Sequence, residues 1–395
     1  MVQNKYDEAN QSFFYLIALI TLSSFDSLIL PGVRLSVADI SVFFLVLSSG
    51  FSLSFFKKNA IKLFLFWGVV LISSIINSLG YEAISGVSVS FIKSVSGLLR
   101  PIFFSMLAAL FLSNIQGRKT NSDTICFSFL LSGCIVSLIV ALQFFGLYPA
   151  MYFNNPSFGE VGRWMSFSEG WRPTGLSNEA SFVGIYILLM MTFSFYLKNK
   201  IYKGKVNVMF FICSLGCFFT TSRIAFVFSL VLMFFKIKGW WRICIFIPIL
   251  MMIYAFFDLT RITNLFEFSG DASTLERYGS NIAYFRAWVD NILGFSPGYL
   301  NGGALVSNYI DPLVLGVLNG RDLPAFSTPL QLLVEFGASS VILFFILVHY
   351  FTRNWLFSYF FVTLLCISMT TGIQNFLFVY IFIAGSLYVK SSHSS

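Results

Sequence analysis

The chain has 395 residues, of which 57% are hydrophobic and only 11% charged, and its net charge is +8. Soluble proteins average roughly 45–50% apolar and about 25% charged residues, so 25 Lys and Arg with 17 Asp and Glu cannot clothe a water-soluble exterior of this size. A soluble enzyme, a disordered chain and a disulfide- or collagen-type scaffold are excluded, and an all-α polytopic membrane protein is expected.

A helix crossing about 30 Å of hydrocarbon needs ~20 apolar residues. Twelve such runs are predicted, at 12–30, 38–56, 61–79, 93–113, 124–147, 181–197, 206–221, 223–237, 241–257, 329–350, 355–371 and 373–389. No small-residue cleavage site follows the first run, so it is expected to stay as a span. The pairs split only by Thr221-Ser222-Arg223 and by Gly372 read as tight outer turns or as single broken helices. All six cysteines fall inside apolar runs, as small packing residues do, and imply no disulfide framework.

Basic residues cluster at Lys57/Lys58/Lys62, Arg118/Lys119, Lys198 to Lys205 and Lys236/Lys238/Arg242, followed by Arg353 and Lys390. Each group occupies a break between apolar runs, and alternate breaks lack them. This alternation is the positive-inside pattern, which puts both termini in the cytoplasm. The basic excess then marks topology and not a nucleic-acid partner. Two long outer segments result, 148–180 and 258–328. Loops beyond ~12–15 residues in compact proteins are usually functional or disordered, and the Trp, Tyr, Pro and Gly of these two are unlike disorder. Within the second, Tyr284 to Leu293 has apolar residues at helical spacing, predicting an amphipathic helix on the outer membrane surface.

Lysine and arginine divide unequally between the two sides. The cytoplasmic set holds 12 Lys and 3 Arg, whereas the outer and embedded set is Lys93 with nine arginines: 34, 100, 163, 172, 223, 261, 277, 286 and 321. A guanidinium is planar, pre-organised and always charged, which suits a bidentate grip on phosphate at a half-dry site. Pairing with outer carboxylates or snorkelling to headgroups is the plainer use. Lys93 and Arg100 stand seven apart on one predicted helix, nearly on one face with about 10 Å of rise between them. Two cations in one apolar helix point to a substrate path, and their spacing suits a diphosphate. Lys93 also fits an end-of-helix anchor.

Motifs for other chemistry are sparse. The two histidines, His349 and His393, fall on the cytoplasmic side, which leaves no histidine base or His-based zinc site outside. No Asp-x-Asp clamp, nucleophile elbow or Gly-rich phosphate loop is present. Arginines remain, with outer acids including Glu160, Glu169, Glu179, Glu267, Asp271, Glu276, Asp290, Asp311, Asp322 and Glu335. Such an inventory suits a reaction with an activated leaving group whose charge must be neutralised.

Four patches, in order, resemble the O-antigen polymerase (Wzy) family within the O-antigen polymerase and ligase superfamily. They are Arg172-Pro173-Thr174-Gly175-Leu176-Ser177-Asn178-Glu179-Ala180-Ser181; Thr220-Thr221-Ser222-Arg223; Arg277 with Arg286-Ala287-Trp288 and Ile292-Leu293-Gly294-Phe295-Ser296-Pro297-Gly298; and Leu330 to Gly337. They cover roughly residues 150–350. The ligase branch usually carries a His before the fourth patch, where this chain reads Pro324-Ala325-Phe326-Ser327-Thr328-Pro329, and that departure favours polymerase. The resemblance implies a fold similar to the C-type glycosyltransferases, in a bacterial inner membrane, with the active site on the periplasmic face. It implies an undecaprenyl-diphosphate-linked oligosaccharide as donor and a second lipid-linked repeat as acceptor, alongside membrane lipids and a chain-length regulator protein as partners.

On that reading Arg172, Arg223, Arg277 and Arg286, with Lys93 and Arg100 beneath, neutralise the departing diphosphate, with no metal or other cofactor. Glu179 is the expected general base, or else the partner that holds Arg172. Trp164, Trp171 and Trp288 are expected to stack on sugars, although Trp more commonly anchors helices at the membrane interface. An O-antigen ligase, and a flippase or exporter of lipid-linked sugars, are the rivals. The 71-residue segment 258–328 counts against the flippase.

Overall fold

A computed structural model of the chain describes residues 15–24, 28–30, 35–36, 38, 41, 61–72, 75–76, 79, 91–147, 173–177, 180–198, 203–220, 222–237, 239, 272–295, 309, 327–351, 355, 358–370 and 377–394. Over these residues the protein is a helical bundle with one small ladder. Its helices are α1 (Phe91–Gly117), α2 (Ser122–Phe144), α3 (Ala180–Thr192), α4 (Lys203–Phe219), α5 (Arg223–Lys236), α6 (Ala272–Asp290), α7 (Thr328–Phe351), α8 (Tyr359–Thr370) and α9 (Leu377–Ser394). A 3-10 turn, Phe193–Phe195, continues α3, and further helical segments occupy 15–22 and 61–72.

The first expected span needs correction. Its helix gives way to a turn at Ser23-Ser24, and strand β1 (Leu28–Leu30) then pairs antiparallel with β2 (Leu35–Ser36). Ser23 and Ser24 turn their hydroxyls back onto the carbonyls of Ile20 and Thr21, at 2.6 and 2.5 Å. Such bonds compete with helix continuation. The run 206–221/223–237 resolves into two helices, α4 and α5, that pack on each other, which is the tight-turn alternative. Gly372 and the run 241–257 lie outside the described residues.

Among the described residues, α2 is the one helix long and apolar enough to cross a membrane. Asn121 caps it by accepting the Asp123 N–H at 3.0 Å. At its far end Gly146, with φ +70°, closes the last turn through Leu147 N–H to the Leu142 carbonyl at 2.8 Å. The helices α3, α5 and α8 are shorter than the runs that forecast them.

The core gathers α2, α3, α4, α8 and α9. Helix α3 is apolar on all sides and buried accordingly, with each residue from Ile185 to Met191 no more than 1% exposed. Phe129 stacks on Phe193 at 4.2 Å, and Phe193 meets Phe360 at 4.7 Å. Small residues allow close helix approach: a Cβ on Gly133 would come within 2.7 Å of Met190 Cβ, and one on Gly216 would collide with the Ser137 backbone. Hydroxyls in these helices bond their own backbone, as in Ser137 to Gly133 and Ser229 to Phe226, at 2.7 and 2.8 Å. The outward faces carry apolar stripes at helical spacing, Leu138/Leu142 on α2, Val227/Val231/Phe234 on α5 and Val362/Leu365/Met369 on α8.

One end of the bundle is tied by a collar of polar bonds. Lys198 N–H donates to Asp123 at 2.9 Å, Lys236 Nζ to the Ser194 carbonyl at 2.6 Å, and Tyr359 N–H to the Tyr196 hydroxyl at 3.0 Å. Tyr388 donates to the Thr120 carbonyl, and Lys390 Nζ lies over the Tyr196 ring. These lysines belong to the clusters that the sequence assigned to one side. Gln143 and Arg223 stand at the opposite ends of α2 and α5 from Asp123 and Lys236.

Candidate functional site

The first patch is held by a side chain from outside it. Gln143, in the last turn of α2, accepts the Thr174 and Gly175 N–H groups through Oε1 at 3.1 and 2.8 Å, and donates Nε2 to the Gly175 carbonyl at 2.9 Å. Its carboxamide thereby satisfies three backbone groups of a buried turn. Gly175 has φ +62°, and a Cβ there would press on Val183 at 3.1 Å. That left-handed conformation is what the residue type provides. Thr174 Oγ1 is buried with no hydrogen-bond partner among the described residues.

The second patch forms the corner between α4 and α5. Thr220 bonds the Cys217 carbonyl at 2.8 Å, and Ser222, extended at φ −79°, ψ 112°, starts α5. Gly184 of α3 faces this corner so closely that a Cβ would lie 2.6 Å from Ala225 Cβ and 3.0 Å from Thr220 Oγ1. The first and second patches are therefore joined through α3, with Gln143 locking the Thr174–Gly175 turn.

The third and fourth patches meet directly. Helix α6 ends at Asp290, and the following turn exchanges backbone bonds with α7: Phe295 N–H donates to the Val334 carbonyl at 2.7 Å, and Ala338 N–H to the Ile292 carbonyl at 3.2 Å. α7 breaks at Gly337, where φ is 75° and ψ 177°. Gly294, at φ +90°, and Gly337 approach so nearly that a Cβ on either would enter the other segment's backbone. The glycines that the sequence grouped in separate patches make one crossing.

Beside this crossing, α6 lays Ser280, Ala283, Tyr284 and Ala287 inward, each no more than 3% exposed, and α6 packs on α7. Glu335 of α7 is buried, and Gln331, one turn earlier, donates Nε2 to Glu335 Oε1 at 2.8 Å. The Tyr284 phenol is pushed well above its ordinary range by burial and further by the Glu335 carboxylate. α6 presents Phe285 and Val289 outward, the turn after it exposes Ile292 and Leu293, and Arg286 is exposed beside Phe285. The amphipathic helix thus exists but starts earlier than expected and stops before Ile292 and Leu293, which lie in or beside the turn.

The predicted site residues are reached unequally. Lys93 and Arg100 share α1, as expected, with Pro101 directly after them. Pro101 brings no N–H for the Gly97 carbonyl, which loosens the ladder there. Ile102 belongs to a small apolar cluster with Trp67, Val70, Leu332 and Phe336, which sets α1 near the fourth patch. Trp67 donates Nε1 to Ser105 Oγ at 2.8 Å in the same region. Arg223 opens α5 and Arg277 lies within α6. The side chains of Lys93, Arg100, Arg223 and Arg277 lie outside what is described, as do Trp164, Trp171, Arg172 and Glu179 altogether. Trp288 is half-buried with its ring 5.9 Å from Phe285, and its Nε1 is buried with no hydrogen-bond partner among the described residues.

Among the described residues, no group of three His, Cys, Asp or Glu stands together. Cys126, Cys134, Cys213, Cys217 and Cys366 are free thiols. Sequence reasoning assigned no role to Gln143 or Gly184, nor to Tyr284 and Gln331, although these two lie in the amphipathic stretch and the fourth patch. The signal for Gln143 was a lone amide closing an otherwise apolar run. For Gln331 it was the four-residue spacing to Glu335, which places the two together on a helix. No protein-family model and no curated protein matches the chain.

Proposed function

We propose that this chain is a polymerase of bacterial surface polysaccharide. It is a multi-span inner-membrane protein of about twelve transmembrane helices, with both termini cytoplasmic and two long periplasmic loops. It joins lipid-linked oligosaccharide repeats by glycosyl transfer on the periplasmic face. The observation that carries the reading is the pairing of the four motif patches, first with second through Gly184 and third with fourth through Gly294 and Gly337. Residues strung over nearly half the chain are thereby condensed into two crossings. The membrane placement is supported by the outward apolar stripes, by hydroxyls satisfied within their own helices and by the lysine collar at one end.

In the proposed reaction a hydroxyl of the incoming repeat attacks the anomeric carbon of the growing chain. The bond to the diphosphate oxygen breaks, and undecaprenyl diphosphate leaves with the electron pair. Arg172, Arg223, Arg277 and Arg286, with Lys93 and Arg100, would neutralise that charge as it develops. The half-exposed stripe of α6 would rest in the interface, keeping Arg286 at headgroup depth.

Purified protein in liposomes, given lipid-linked repeat as donor with either a second lipid-linked repeat or a lipid A core as acceptor, separates the readings. A ladder of lengths is expected with the repeat alone. A single transfer to the lipid A core would identify a ligase, and translocation with no new glycosidic bond a flippase.

A further inference from the structure

The acceptor hydroxyl must lose a proton, and the seam between α6 and α7 holds a buried carboxyl group, that of Glu335. Resting on the polymerase reading above, we propose that Glu335 is the general base of the transfer. Three observations carry this. Glu335 is 8% exposed, on the helix of the fourth patch and two residues before that helix breaks. Non-helical backbone inside a helix and buried ionisable side chains both cluster at functional sites. Second, Gln331 fixes Oε1 at 2.8 Å, which orients the carboxylate. Third, both motif-bearing segments converge there: the Gly294 turn of the third patch crosses at Gly337, and Phe336 joins the cluster that contains Ile102, two residues from Arg100.

The step balances without another reagent. The acceptor O–H proton passes to the Glu335 carboxylate as the acceptor oxygen bonds the anomeric carbon. The anomeric C–O bond to diphosphate breaks at the same time, and its electron pair leaves on the diphosphate oxygen. The proton then returns to water on product release. Gln331 acts as a positioning residue. Tyr284, buried beside the same carboxylate, stays a neutral phenol.

Glu335→Gln removes the basic oxygen and keeps an amide oxygen that can accept from Gln331. With protein reconstituted at equal amounts and undecaprenyl-diphosphate-linked repeat isolated from the parent strain as both substrates, kcat is expected to fall at least ~100-fold with KM for the donor unchanged. Gln331→Leu should lower kcat about tenfold, again at constant KM. A Glu335→Gln kcat within about threefold of wild type would overturn the proposal, leaving Glu335 a structural partner of Gln331. Should that variant fail to accumulate, Glu335→Asp serves instead: it keeps the charge but withdraws it by one methylene, and an unreduced kcat there overturns the proposal equally. If wild-type protein forms no glycosidic bond, the polymerase reading itself has failed, which is a different result.

Discussion

The region where α2 and α3 meet the α4–α5 corner and the seam joining α6 and α7 are both built on glycines, yet they handle polar groups differently. At the corner, Gln143 spends its whole carboxamide on the Thr174–Gly175 backbone, and Gly184 closes against Thr220 and Ala225. No titratable side chain takes part in those contacts. At the seam, the backbone crossing at Gly294 and Gly337 lies beside a buried carboxylate that an amide holds by one oxygen. The difference separates a scaffold, where polar groups serve the backbone, from a place where a charge is kept buried in spite of its desolvation penalty.

The largest effect is expected at the seam's backbone. Gly337→Ala would put a methyl into the Leu293 carbonyl at a φ of 75°, disrupting the bonds Phe295 to Val334 and Ala338 to Ile292. Left-handed strain of about 1–3 kcal/mol adds to roughly 1 kcal/mol for each lost bond. Glycan ladders in a deletion strain should vanish, with a lowered unfolding temperature in detergent. A normal ladder would mean that the crossing is incidental.

Next come the arginines. Lys in place of Arg172, Arg223, Arg277 or Arg286 keeps charge but loses the guanidinium fork. A charge-assisted bond is worth roughly 1.5–3 kcal/mol, so turnover should fall about 10- to 150-fold at each site, while Arg261 and Arg321 should tolerate Lys. Unchanged ladders at all four sites would reduce them to topological charges.

Gln143→Leu sharpens the contrast from the corner's side. It strands the Thr174 and Gly175 N–H groups and the Gly175 carbonyl, at ~1–3 kcal/mol per buried unsatisfied group. Thermal stability should therefore drop clearly, while the protein that remains folded should polymerise with a kcat within several-fold of wild type. A kcat loss as deep as that of the arginine variants would make the corner part of the chemistry. The smallest effect expected is from chelator: polymerisation should be unaltered by EDTA, and loss restored by Mg²⁺ would assign the outer carboxylates to a metal.

Helix type and order were legible because long apolar runs leave little choice but helices, and lysine placement distinguished the two ends before any contact was known. The break of the first run at Ser23-Ser24 was hidden, since its residues are as apolar as a span until the two serines turn onto their own backbone. Gly184 was hidden for another reason: a helix glycine reads as a weak helix former, and only the distance to Ala225 reveals a crossing. Arg286 and Trp288 were singled out as charge and aromatic in a motif, and both lie on α6. Glu335 was one acid among ten, and its importance depends on burial and on Gln331, which periodicity alone does not reveal.

On the proposed function, each repeat added displaces one diphosphate-linked carrier on the side opposite the lysine collar. Liposomes holding the purified protein in known orientation, supplied with lipid-linked repeat, allow carrier release and repeat addition to be counted together by phosphate and sugar analysis. One undecaprenyl diphosphate released per glycosidic bond formed, only when donor is presented to the face opposite Lys198, Lys236 and Lys390, is the predicted result. Bond formation without carrier release, or from donor on the lysine face, would contradict it.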